Sequence, residues 1–383
     1  MNKIISFFIG IILFSSAVVN SKLSFMIIVR NLSLFLFVIF IIFSFLVNKL
    51  EIKVRKNQIF WIIFTFSVLI SNFYNGNDII YGIFLVIGVT SIYFYYLPNK
   101  FPNDLLSILT NNILVVESII LILSLISSNV VLPYKGIFLN PNTLALNLLL
   151  LGVAINIKID VTLSESLKKI LFYKLYLLVV ILLIFSTESR TSLIIILVLS
   201  LFNILKSGMN KKNFIELIIS MVLMGFLFKL YYDKNPEIIN AIFEKTHNSK
   251  ELFSGRGYIW SQTINNYNIF GHGKNYFENT YGLGAHNSII KILGENGMVS
   301  AVIYILLCIF AFFKSIKYIR KTNEKYKFAP FYITISYLTL SMTEGLFSPF
   351  GNAYMVSFFI ILGYLMNSKF IVNGGATWKR YHF

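Results

Sequence analysis

Apolar runs of roughly twenty residues, broken by short clusters of Lys, Asn, Pro and Gly, recur from one end of the chain to the other. Each is long enough to cross a hydrocarbon layer of about 30 Å as a helix. The breaks place helices near 4–19, 23–47, 59–74, 79–97, 104–127 and 142–157. The second half continues near 172–187, 191–205, 213–232, 298–313, 329–343 and 350–366. The first run carries Lys3 and so resembles a secretion signal. No small-residue cleavage site follows it, and a second apolar run starts at Leu23, so it reads as a membrane helix. The expected fold is an all-α integral membrane protein of about twelve transmembrane helices. Helices 1 to 9 fall in 1–232, a large extracytoplasmic loop in 233–297, and helices 10 to 12 with a cytoplasmic C-terminal tail in 298–383.

Composition removes the soluble alternatives. Of 383 residues 57% are hydrophobic and 13% charged, and the mean hydropathy is +0.75, which leaves too few polar side chains to coat a water-soluble core. The net charge of +17 invites a nucleic-acid reading, but most of the 33 lysines and arginines sit in every second inter-helix connection. Lys49, Lys53, Arg55 and Lys56 form one such group, and the run from Lys314 to Lys327 another. The positive-inside rule then puts both termini in the cytoplasm of a multi-pass plasma-membrane protein, with no nucleic-acid partner. Richness in Ile, Phe, Lys and Asn hints at an AT-rich bacterial genome. A lone cysteine, Cys308, excludes an intrachain disulfide or thiolate metal site, and the four histidines lack metal-ligand spacing.

The connection from 233 to 297 is far longer than the others. Tyr258, Trp260, Tyr267, Phe270, Tyr276, Phe277 and Tyr281 argue for order in it, since disordered segments are poor in aromatics. Short helices at the outer interface are expected there. Isolated carboxylates give no D-x-D pair for Mg²⁺, so a bound diphosphate would fall to arginine, whose planar fork meets phosphate oxygens in pairs. Arg190 lies in the hydroxyl-rich break Ser186–Ser192 and reads either as a turn residue paired with Glu188 or as an anion ligand at membrane depth. Arg256 sits between Gly255 and Gly257, where a ligand can approach closely, or is a solvated loop arginine. His286, followed by Asn287, stands where a helix re-enters the membrane and either takes a proton from an attacking hydroxyl or merely neighbours a cap. The Gly271-His272-Gly273 turn shapes the loop or, less readily, supplies a second catalytic histidine. Arg30 and Glu117, inside the second and fifth helices, line a cavity together or serve helix packing.

Three islands in this order resemble the bacterial O-antigen polymerase and O-antigen ligase family, which includes the Wzy-type repeat-unit polymerases of capsule and exopolysaccharide synthesis. The first runs from Gly136 through Asn140-Pro141-Asn142 to Ala145, and the second is Ser189-Arg190-Thr191-Ser192. The third carries Ser254-Gly255-Arg256, Trp260, Gly271-His272-Gly273, Ala285-His286-Asn287 and Glu295-Asn296-Gly297. Together they cover under a third of the chain.

The resemblance implies a GT-C-like fold and a metal-independent glycosyltransferase that needs no cofactor. The donor would be an undecaprenyl-diphosphate-linked oligosaccharide held at the outer face among membrane lipid. Arg190 and Arg256 would bind its diphosphate, and His286 would position or deprotonate the acceptor hydroxyl. Asn142, Trp260, Asn287 and Glu295 would complete the substrate site. Chain-length regulator and flippase proteins are the partners such a polymerase would have. Glu188, beside Arg190, departs from the pattern. A ligase acting on a different acceptor shares the same donor chemistry. A flippase or secondary transporter fits the composition, although such proteins rely on broken helices and short outer loops.

Overall fold

The computed structural model describes residues 2–23, 25–48, 55–76, 78–127, 131–163, 166–206 and 256–368, with isolated positions between 222 and 233. Ser254, Gly255, most of the helix expected at 213–232 and the tail from 369 lie outside the described residues. What is described is all-α, with a single antiparallel bridge, Ser21 to Phe138, as its only β pairing. Lipid offers no hydrogen bonds to a backbone, and a helix satisfies its own.

The first six crossing segments begin with α1 (Asn2–Ala17), α2 (Met26–Asn48) and α3 (Ile59–Tyr74). Next, α4 (Ile79–Phe84) widens into a π-helical stretch, Leu85–Tyr96, and closes with α5 (Leu97–Lys100). Then come α6 (Leu105–Ser127) and α7 (Pro141–Thr162). The second half holds α8 (Leu167–Ser186), α9 (Arg190–Lys206), the short α10 (Arg256–Asn265) and α11 (Tyr276–Tyr281), and then α12 (Ser288–Lys321), α13 (Ala329–Ser341) and α14 (Ala353–Asn367). The Phe94 carbonyl stands four residues before Pro98, which has no N–H to offer it, and two buried amides take it up: Gln58 Nε2 at 2.6 Å and Asn367 Nδ2 at 2.7 Å.

Among the described residues seven segments are long and apolar enough to cross a membrane. Of the other expected crossings, α1, α9, α13 and α14 are shorter, and the last falls at 213–232. Burial orders the bundle. In α7 83% of the apolar window is buried, against 22% in α2 and in α8, so α7 runs through the centre while the other two show Ile, Phe and Leu to the surroundings. The α14 helix, buried along its length, is the second central element.

Two ends of the bundle differ in chemistry. At one, Lys206 pairs with Asp160 and donates to Tyr332 Oη at 3.0 Å, and Lys158 donates to Tyr326 Oη at 3.2 Å. This is the end of the lysine-rich connections. At the other, four helices start on capped side chains: Asp78, Asn140, Asn287 and Asn352 each accept an amide of the first turn. Such caps satisfy donors that the entering helix leaves bare, at about 1 kcal/mol each.

Candidate active site

The capped end gathers segments far apart in sequence. Lys22 N donates to Ile137 O at 3.3 Å, and Tyr134 N to Ser186 O at 2.8 Å, so the loop before α7 is tied to the α1–α2 and α8–α9 turns. Ser71 Oγ and Asn75 Nδ2, at the end of α3, donate to Phe270 O at 2.6 and 3.0 Å. Among the described residues, segments that the charge pattern assigns to the outer side are thus joined to one another at this end.

Its centre is the start of α12. Asn287 Oδ1 accepts the amides of Ile289 and Ile290 at 2.9 and 3.1 Å, and its Nδ2 donates to Met342 O at 3.3 Å. Ser288 Oγ shares its proton between the Glu344 and Leu346 carbonyls, each at 3.0 Å. These bonds draw the α13–α14 connection over the helix start and set Glu344 beside His286, with Oε2 3.5 Å from Nδ1. His286 itself has φ +48, an uncommon left-handed conformation for a residue with a side chain. Such backbone persists where its surroundings over-determine it, as sites of chemistry do. A carboxylate at Nδ1 leaves Nε2 as the ring nitrogen available to a ligand.

The described part of the long loop is ordered as its aromatics predict. Ile259, Phe277, Ala285 and Ile290 form a small core, joined by Trp260, Tyr276 and Tyr281. Trp260 Nε1 donates to Ala285 O at 2.8 Å, which pins α10 to the residue preceding His286. Arg256 stands one turn earlier on the same face of α10. Among the described residues no carboxylate lies within ion-pair reach of its guanidinium. Trp260→Phe should preserve the packing and lose the indole bond, lowering stability by about 1 kcal/mol. Thermal unfolding of the purified protein checks this.

Gly271-His272-Gly273 and Glu295-Asn296-Gly297 are two halves of one contact. His272 N donates to Gly294 O at 2.8 Å, Gly273 N to Glu295 O at 3.0 Å, and Met298 N to Asn268 O at 3.0 Å. Gly297, with φ +86, breaks α12 at this point. A Cβ there would stand 2.1 Å from Ile269 O, so no other residue fits. His272 accordingly serves the loop, with Nε2 2.9 Å from Asn266 O and its ring stacked on Tyr276. The helix α12 starts at Ser288, ten residues before the apolar run expected at 298–313, because Lys291, Gly294, Glu295, Asn296 and Gly297 interrupt the apolar residues of its first turns.

Arg190 and Asn142 form a second group. Gly152 lies against Ile196, and Asn203 Nδ2 donates to Asn156 O at 3.1 Å, so α7 and α9 run parallel and Asn142 is level with the 186–190 turn. Arg190 opens α9, exposed, after Glu188 with φ +60.

Near the first turns of α12 opens a cavity of about 600 Å³, lined by Arg30, Asp78, Lys274, Lys291, Glu295 and Ser348 among others, with His286 itself outside its wall. Glu117 is not part of its wall. It is buried in α6 with neither oxygen hydrogen-bonded among the described residues, so Arg30 and Glu117 do not share this cavity. Glu344 and Lys274 escaped the sequence reading. The one signal for Glu344 is a carboxylate in a connection that carries no cation.

Residues 175–305 match the family model for O-antigen ligase. The match supports the O-antigen polymerase and ligase family, whose members are glycosyltransferase-like membrane enzymes. Together with the apolar helices it points to a membrane-embedded protein. The matched segment runs from the middle of α8 into α12 and holds Arg190, Arg256, Trp260, His286, Asn287 and Glu295. Asn142, Arg30 and Glu344 lie outside it. No curated protein matches the chain at a significant level.

Proposed function

We propose that the protein is a polysaccharide repeat-unit polymerase that works at the outer face of the plasma membrane. An acceptor sugar hydroxyl attacks the anomeric carbon of a glycan on undecaprenyl diphosphate. The new glycosidic bond forms as the bond to the diphosphate oxygen breaks. His286 takes the hydroxyl proton, with Glu344 orienting its ring, and Arg256 and Arg190 carry the negative charge that develops on the departing diphosphate. Fixed cations aimed at such charge lower the barrier because they need no rearrangement when the reaction occurs.

The observation that carries this reading is the strained His286 beside Glu344, tied through Ala285 and Trp260 to the helix that Arg256 opens. A transporter has no need of that arrangement. A ligase does, and the description of the matched family model favours it as the second reading. The lipid-linked glycans of cells lacking the protein separate the three. The polymerase reading expects single repeat units on lipid at the outer face. Long chains held on lipid would instead mark a ligase, and units trapped on the cytoplasmic face would sink the enzyme reading.

A further inference from the structure

The cavity near the first turns of α12 contains a charge that the chemistry above does not use. Four of its five charged side chains are matched: Lys274 Nζ lies 3.8 Å from Asp78 Oδ2, and Lys291 Nζ lies 4.0 Å from Glu295 Oε1. Arg30 is the fifth, and among the described residues no carboxylate lies within ion-pair reach of it. Its Nη1 donates to Phe350 O at 3.2 Å, and its Nε and Nη2 donate to Asn31 Oδ1 at 3.2 and 3.1 Å. Of the five N–H groups of a guanidinium, two remain unspent. Arg30 belongs to the first turns of α2, a helix that reads as a membrane span, where a cation without a counter-charge is costly and marks a ligand pathway by default. The volume in front of it, about 600 Å³, lies in the usual range of small-molecule sites.

The cavity and His286 meet the same connection. The connection that sets Glu344 at His286 carries Ser348 and Phe350 into the cavity a few residues later. A Cβ built on Gly345 would lie 3.2 Å from Lys291 Cδ and 4.0 Å from the His286 amide nitrogen. Lys291, on the cavity wall, and the His286 backbone thus both adjoin the connection at Gly345.

We propose that this cavity is a second oxyanion subsite, in which Arg30 holds an oxyanion of the acceptor while the acceptor's hydroxyl faces His286. The inference rests on the transferase reading, because joining two membrane-anchored glycans brings a second charged carrier to the same end of the bundle. The oxyanion is the phosphate of the acceptor's lipid or a carboxylate of an acidic sugar. The carboxylate is planar and the phosphate tetrahedral, but each offers a pair of oxygens that a guanidinium fork meets with two parallel bonds. Arg30, Asp78 and Ser348 of this subsite lie outside the segment matched by the family model, and Lys274, Lys291 and Glu295 lie inside it.

Binding without turnover tests it. The full-length protein is placed in phosphatidylcholine nanodiscs, with undecaprenyl phosphate as one probe and a glucuronate disaccharide as the other, and bound ligand is counted by native mass spectrometry. The wild type is expected to hold two undecaprenyl phosphates, and Arg30→Gln and Arg256→Gln one each. Arg30→Lys, which keeps the charge but not the fork, should restore part of the lost affinity, and Lys291→Gln should weaken the same site from another helix. Loss of disaccharide binding alone in Arg30→Gln would also support the subsite and assign its oxyanion to the sugar. Wild-type binding of both probes by Arg30→Gln and Lys291→Gln overturns it. Normal lipid-linked glycans in cells lacking the protein, alongside Arg30-dependent binding, would remove the transferase reading and leave the oxyanion site standing.

Discussion

His286→Ala should lower glycan transfer by about 10²–10⁴-fold while leaving the protein in the membrane at its usual abundance. The size follows from the role of a positioned base, and the sparing of abundance follows from where the residue sits. His286 precedes the capped turn of α12, and the bonds that hold that turn come from Asn287 and Ser288. Alanine at φ +48 keeps the backbone strained, at a cost on the order of 1–3 kcal/mol, but removes no anchor. His286→Asn is the control for that strain, since asparagine accepts left-handed backbone more readily than alanine. It should fold at least as well as wild type and still fail in transfer. Glu344→Gln leaves an oxygen to accept from the ring and removes only the charge, so its loss should fall between wild type and His286→Ala. Lipid-linked glycan chains from complemented cells, at matched protein abundance, give the reading. Long chains restored by His286→Ala would remove the base from the mechanism.

Much of this end was legible in the sequence, because hydropathy and charge report which side of a membrane a segment occupies. The succession of apolar runs, with Lys and Arg in alternate connections, puts 74–78, 186–190 and 344–349 on one side, and hydrogen bonds join Asn75 to Phe270, Ser186 to Tyr134 and Glu344 to Ser288. Two kinds of fact were not legible. The first is a helix that is polar where it enters. Residues 288–297 lack the apolar run that marks a span, because Glu295 and Asn296 face the cavity and Gly297 interrupts the ladder. The second is convergence in space. Arg30, Lys274 and Lys291 come from three segments, and nothing in their spacing says that they share one wall. Glu344 was equally silent, since its meaning depends on Ser288 drawing its connection over the start of α12. The glycine islands stood between these cases: their residues were noticed, but their reason is a backbone-to-backbone contact that only coordinates reveal.

That contact carries the second large effect. Gly297→Ala should leave insertion intact, abolish most transfer and expose the 266–275 segment to protease. The added methyl would meet Ile269 O at 2.1 Å and Gly271 N at 2.4 Å, both backbone atoms that no rotamer change can move aside. With φ +86 and ψ 177, Gly297 also occupies a region open essentially to glycine alone. Relief requires the Gly271–Gly273 turn to lift from α12. That gives up the bonds from His272 N, Gly273 N and Met298 N, each worth about 1 kcal/mol. The apolar helices that drive insertion are untouched. Lifting the turn moves Lys274 away from the cavity wall and loosens the small core that seats Trp260, whose bond to Ala285 precedes His286. Gly282→Ala supplies the comparison. Its φ is +66 but nothing lies within 4 Å of the added Cβ, so it pays backbone strain of about 1 kcal/mol and no collision. Gly282→Ala should therefore stay active and protease-resistant where Gly297→Ala does not. Equal behaviour of the two variants would show that strain, rather than the docked turn, governs this end of the bundle.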